Sequence, residues 1–438
     1  MSVRHAIGLR LCSISIATGL LAGVSTIQAA NADALSPSGM AVQAPSPIGA
    51  FPDYVKNTRS QIRTVLESTR FTDEKQPFES FSLDEVVEMR APYDIAPDRN
   101  SCADGDVTLS RGENLGFVMV HGLTDSPYWL SDVRDALRDK YPCASFHGVL
   151  LPGHGTVPAD LMDVAYQDWM DTVKFGVESF GPEVEQIIPI GFSTGAALIG
   201  RYYDMADHDD RLNALVMLSP GFSARSGMAW LTPYVRYVKN WAGKGENNDP
   251  GKYGSMAMNG AAEFHLLTAP YRDGSIGTVD IPVFVAVSSD DQTIDPLVAL
   301  DFFCEKVTVP NRHMVWYQGE IEIPDEQTQC DGIDVVKSAN ADFRTLNHAH
   351  TGITLSPNDP VYGLDGKHPD CSHYDNKEDK ETCQTAPDAV YGERNLVDGA
   401  TPGTLRRATF NPDFDTMMEK IMHFIAVSRA PATPNPVE

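Results

Sequence analysis

The residues best placed to do chemistry are Gly191-Phe192-Ser193-Thr194-Gly195. A serine flanked by glycines at this spacing fits the G-x-S-x-G nucleophile elbow. In that turn a strained backbone lifts the hydroxyl clear of the chain, and glycines make room for the close approach that results. The flanking text suits it. Ile187, Ile188 and Ile190 form an apolar run without polar alternation, as expected of a strand covered on both faces, and Ala196, Ala197, Leu198 and Ile199 continue as a helix. The first N–H groups of that helix are unused by the helix itself and point at the serine. A serine hydroxyl is a weak nucleophile until an imidazole takes its proton, and the imidazole needs a carboxylate to fix its tautomer and stabilise its charge. An aspartate among 290–295 and a histidine at 348 or 350 follow Ser193 in the order Ser, Asp, His.

Each of these residues needs a strand to carry it. Gly116 to Val120 reads as a buried strand running into the turn His121-Gly122-Leu123-Thr124-Asp125-Ser126-Pro127, with a helix from Tyr128 to Lys140. Ala144 to Leu150 is a second strand, ending at Leu151-Pro152-Gly153-His154-Gly155, and 158–180 reads as helix with Trp169 and Val173 on one face. Leu212 to Leu218, Ile281 to Val287 and a last strand at His313 to Tyr317 complete the set, and a helix closes the chain at about 412–428. Alternating strands and helices predict an α/β fold with a mostly parallel, doubly wound sheet, and every candidate falls just after a strand, at the carboxyl edge where such sheets place their sites.

These motifs resemble the α/β-hydrolase fold of the carboxylesterase and monoacylglycerol-lipase type, over roughly residues 115–355 and the last helix. The matching elements are HGLTDSPY at 121–128, LPGHG at 151–155, GFSTG at 191–195, the aspartate that opens the segment ending in I-D-P at 291–296, and H-T-G-I at 350–353. The resemblance implies Ser193 as nucleophile, Asp291 as acid and His350 as base, with the backbone N–H groups of Leu123 and Thr194 as oxyanion hole. Helix geometry independently favours Thr194, and the His121-Gly122 turn can bring a second N–H beside it. His350 is preferred to His348 because Thr351-Gly352-Ile353 follows it. His121 and His154, beside glycine turns and ahead of the acid in the chain, read as structural hydrogen-bonders, and Asp290 reads as a neighbour of the acid or an N-cap. The expected activity is hydrolysis of carboxylic esters, lipid or soluble, through an acyl-serine, with no cofactor. Transfer of the acyl group to an alcohol, or a non-catalytic protein on the same fold, is the alternative.

The remaining text divides around this core. Residues 1–34 read as a secretory signal, with Arg4 and Arg10 ahead of an apolar stretch at 11–27 and cleavage after Ala32 or Ala34. Pro, Ser and Ala at 35–60 suggest a linker or a strap lying over the domain, and 35–112 as a whole a strap with short edge strands. The core is expected at 113–221 and 277–430. Residues 222–276, with no evident strand and with Trp230, Tyr234, Tyr237 and Trp241, read as a helical lid inserted between strands, and 355–405 as a polar, Cys-bearing excursion. Cleavage removes Cys12 and leaves Cys102, Cys143, Cys304, Cys330, Cys371 and Cys383, so an exported chain would hold three disulfides, of which Cys371 with Cys383 is the simplest. The His-Pro-Asp-Cys-Ser-His run at 368–373 reads as part of that disulfide loop rather than a metal site. No segment after the leader has the length to span a membrane. A net charge of -26 argues against nucleic acid and anionic membrane as partners.

Overall fold

The computed structural model describes residues 34–72, 77–78, 80–102, 112–374, 376–393 and 403–429. All of the expected leader except Ala34 lies outside these residues. Eight strands form one sheet: β1 (Tyr93–Ile95), β2 (Leu115–Val120), β3 (Ser145–Val149), β4 (Gln186–Phe192) and β5 (Leu215–Leu218) come first. A two-stranded ribbon, β6 (Trp241–Gly243) and β7 (Met256–Ala257), intervenes before β8 (Val283–Ser288), β9 (Arg312–Gln318) and β10 (Ile333–Lys337) rejoin the sheet. The order across it is β1-β3-β2-β4-β5-β8-β9-β10, antiparallel only between β1 and β3. This is the α/β-hydrolase fold with its mostly parallel central sheet.

The central strands read as unbroken apolar runs because the sheet is covered on both faces. Val118, Val120 and Ile187 join one core cluster with Trp169, Ala196 and Leu300 from helices Tyr166–Glu178, Thr194–Tyr203 and Pro296–Glu305. Phe117, Met119, Ile188 and Ile190 join the other, with Val133, Leu137, Ile421 and Phe424 from helices Ser131–Lys140 and Phe414–Ser428. Successive residues of a strand point to opposite faces, so each face receives its own set.

The structure corrects three readings. The strap ends early, because Phe51–Thr69 is a helix: Phe51, Tyr54, Thr58, Ile62, Val65, Leu66 and Thr69 recur at helical spacing and are buried, while the polar residues between them face out. The strand at 313–317 is not the last, since Ile333–Lys337 pairs with it in parallel as β10, within what reads as an acidic insertion. Its side chains alternate only between half-buried and exposed, a weak signal for a sheet edge. The segment between β5 and β8 does contain strands, but β6 and β7 are three and two residues long, too short to show a period.

The cysteine-bearing excursion carries a helix, Lys377–Thr385, and the short parallel strands β11 (Val390–Gly392) and β12 (Leu405–Arg407). Three disulfides join Cys102 to Cys143, Cys304 to Cys330 and Cys371 to Cys383, with Cα separations of 5.6, 5.6 and 6.0 Å. Among the described residues no helix is long and apolar enough to cross a membrane.

Candidate active site

Register brings the site together. Val120 on β2 pairs with Gly191 on β4, and Phe192 with Leu218 on β5, so the turns after β2 and β4 leave the sheet side by side. Ser193 begins the second turn with φ 55° and ψ -117°, a backbone conformation that costs a non-glycine residue about 1–3 kcal/mol. The two glycines of the motif are there for close approach. A Cβ at Gly191 would stand 2.4 Å from Ala196 N, and one at Gly195 would stand 2.0 Å from Val120 O. Helix Thr194–Tyr203 therefore packs back onto its own strand and onto β2, and Ser193 is held where the two strands end.

His350 reaches Ser193 from the loop after β10. Its Nε2 stands 2.9 Å from Ser193 Oγ, and its Nδ1 stands 2.6 Å from Asp291 Oδ2. A carboxylate only accepts, so Nδ1 carries the proton and Nε2 is free to accept from the serine hydroxyl. The spacing within 291–294 has its own logic. Asp291 Oδ1 accepts from the N–H groups of Thr293 (2.7 Å) and Ile294 (2.9 Å), which fixes the carboxylate and leaves Oδ2 for the imidazole. Asp291 is fully buried, and Ser193 and His350 are 7% and 5% exposed. Asp290 turns the other way, accepting from Glu320 N at 2.9 Å beside the exit of β9.

His348 is spent on structure. Its Nδ1 is 2.8 Å from Ser338 O, its Nε2 is 3.2 Å from Asn411 Oδ1, and its ring stacks on Tyr317. Burial pushes its pKa down. Serines at the ends of two strands hang the loop on the sheet: Ser288 Oγ donates to His348 O, and Ser219 Oγ to His350 O.

The turn after β2 is braced by two neutral histidines. His121 Nδ1 donates to Gly122 O and its Nε2 accepts from Leu151 N, while His154 Nε2 accepts from Thr124 N at 3.0 Å. Burial pushes His121 well down and His154 down to about 4, so both stay uncharged. They fix the backbone on either side of Leu123. Thr194 is the first residue of its helix, so its N–H has no helical acceptor. A Cβ at Gly221 would stand 3.1 Å from Thr194 N, so the glycine also leaves that amide accessible.

Sequence reasoning missed a layer beneath these residues. Glu393, fully buried after β11, places Oε2 at 3.4 Å from His350 N and 3.5 Å from Gln292 N, between the loops that carry His350 and Asp291. Arg407 Nε lies 3.3 Å from Glu393 Oε1, an ion pair by distance whose N–H is not aimed at the oxygen. Arg407 Nη2 donates to Thr293 Oγ1. The 368–373 run goes elsewhere: Cys371 is in its disulfide, His368 pairs with Asp249 at 3.4 Å and Asp370 with Lys252 at 3.2 Å. An open depression lined by Asn311, Arg312, His313 and His423 lies at the start of β9, at the other end of the strands from Ser193.

Residues 117–317 match the model of the alpha/beta hydrolase family. No curated protein matches the chain. Among solved structures, a metagenome-derived lipolytic enzyme is 16% identical, with a TM-score of 0.42 over 52% of this chain and 86% of that one. The monoglyceride lipase of Saccharomyces cerevisiae is 12% identical, with a TM-score of 0.42 over 52% and 81%. The monoacylglycerol lipase of Paleococcus ferrophilus is 16% identical, with a TM-score of 0.39 over 52% and 88%. The mostly parallel sheet, the strand-turn-helix serine and the family match across the sheet's central strands together identify the fold of this chain as that of the α/β hydrolases.

Proposed function

We propose that the protein is an exported serine hydrolase that cleaves carboxylic esters through an acyl-serine intermediate. The observation that carries this is the chain of contacts from Asp291 through His350 to Ser193 at 2.6 and 2.9 Å, ending on a strained turn at the carboxyl edge of the sheet. Ser193 Oγ attacks the ester carbonyl carbon while His350 Nε2 takes its proton, and Asp291 stabilises the imidazolium that forms. The carbonyl oxygen becomes an anion held by the N–H groups of Leu123 and Thr194. Collapse breaks the bond to the alcohol, which leaves with the proton from His350. Water then repeats the sequence on the acyl-serine, releasing the acid and restoring the hydroxyl. Three disulfides and the absence, among the described residues, of a helix able to cross a membrane are compatible with export.

The test is Ser193→Ala assayed on p-nitrophenyl esters from acetate to palmitate, with fluorophosphonate labelling of the wild type. Loss of about 10⁴ or more in kcat is expected, with label on Ser193 alone, and a loss below about a hundredfold in the folded variant would overturn the assignment.

A further inference from the structure

Asp125 lies two residues past Leu123 in the turn after β2 and is 8% exposed. Its N–H donates to Gly122 O, which folds the turn back on itself. A Cβ at Gly122 would stand 2.4 Å from Asp125 Oδ2 and 3.0 Å from Ser193 Cβ. The carboxyl and the Cβ of Ser193 therefore both border the space this glycine leaves empty. Among the described residues the carboxyl has no hydrogen-bond partner, and its charged neighbours act from a distance: Lys252 and Arg407 in its favour, Asp249 against it. Lys252 is already 3.2 Å from Asp370, and Arg407 is 3.3 Å from Glu393. Burial pushes the Asp125 carboxyl up to about 7.

The carboxyl sits in a largely buried residue and has no partner in the chain, so a substrate that shuts water out of this space leaves it unsolvated unless the substrate itself donates a hydrogen bond to it. The hydrogen bonds that link Ser193, His350 and Asp291 do not include this carboxyl. An ammonium ion would meet Lys252 and Arg407 in the same cluster, which leaves a neutral donor. We propose that Asp125 is a specificity residue that accepts a hydrogen bond from a hydroxyl carried by the ester substrate close to its scissile carbonyl. The proposal rests on Ser193 being the nucleophile. A substrate with an apolar group at that place leaves the carboxyl buried and unpaired, the circumstance in which polar sites discriminate most strongly.

Two matched pairs of esters test it and locate the hydroxyl. Glyceryl monobutyrate against propyl butyrate puts the hydroxyl on the alcohol side, and p-nitrophenyl hydroxybutyrate against p-nitrophenyl butyrate puts it on the acyl side. The wild type should favour the hydroxylated member of at least one pair. Asp125→Leu should lower kcat/KM for that ester about tenfold or more and leave its plain partner within about threefold. Asp125→Asn keeps a carbonyl acceptor of the same shape, so it should retain most of the preference and stay informative if the leucine variant does not fold. An unchanged ratio in both pairs for both variants, or an equal fall for both members of a pair, would overturn the proposal while the plain esters still report a working hydrolase. A wild type that cleaves none of the four and takes no fluorophosphonate label would overturn the hydrolase reading, and this proposal with it.

Discussion

The two histidines of the loop after β10 give opposite signatures when each is replaced by alanine. His350→Ala takes the proton acceptor from Ser193 and the imidazolium from Asp291, so kcat on p-nitrophenyl butyrate should fall by about 10⁴. The fold should hold, because Asp291 Oδ1 keeps its two N–H donors. His348→Ala takes the imidazole from Ser338 O, leaves Asn411 Oδ1 with the N–H of Asp413 and empties the space against Tyr317, for a loss of about 2–4 kcal/mol in unfolding free energy. The bond that hangs the loop from β8 runs from Ser288 Oγ to the backbone carbonyl of residue 348 and survives the substitution, so turnover should drop by no more than about tenfold. Saturating turnover and urea unfolding on the same preparations separate the two effects. A folded His350→Ala enzyme within about a hundredfold of wild type refutes the base assignment. Loss of turnover in His348→Ala with an unchanged unfolding midpoint would move the base to His348.

Glu393→Gln keeps an acceptor oxygen for the N–H groups of His350 and Gln292 but removes the charge facing Arg407, so kcat should fall about tenfold with KM little changed. Glu393→Leu also takes the carboxylate from the half-buried Arg407, which keeps its bond to Thr293, and a loss of about 1–3 kcal/mol in unfolding free energy is expected; wild-type stability in that variant would show that the pair holds nothing. His154, pushed by burial from 6.5 to about 4, should remain neutral by imidazole NMR until about pH 4. Because the unfolded chain takes up that proton near 6.5 and the native one does not, the residue's contribution to stability falls as pH drops from 6.5 to about 4 and then levels off. Protonation of native His154 near 6.5 would refute its role as a neutral post for Thr124.

What was legible in the sequence is what local geometry dictates. The strand before Ser193 announces itself because both faces of β4 are buried, and the motif glycines because Ala196 N and Val120 O crowd them. Asp291 differs from Asp290 through the N–H groups two and three residues on, a constraint written into the spacing to Ile294. The helix at Phe51–Thr69 had a readable period, but it follows directly on Pro- and Ser-rich text that pulls the reading toward a strap. Glu393 and Arg407 had no such signal. They reach Gln292 and Thr293 from about a hundred residues away through an irregular, polar segment, where a charged side chain ordinarily means a solvated surface. Asp125 is the same case in a sharper form. In the sequence it is an acid in a turn, and its burial depends on chain that arrives much later, when Tyr253 N donates to Thr124 O and brings Lys252 alongside. A carboxyl without a partner in the chain beside Ser193 is therefore a property of the folded chain alone, and so is the choice of substrate we propose for it.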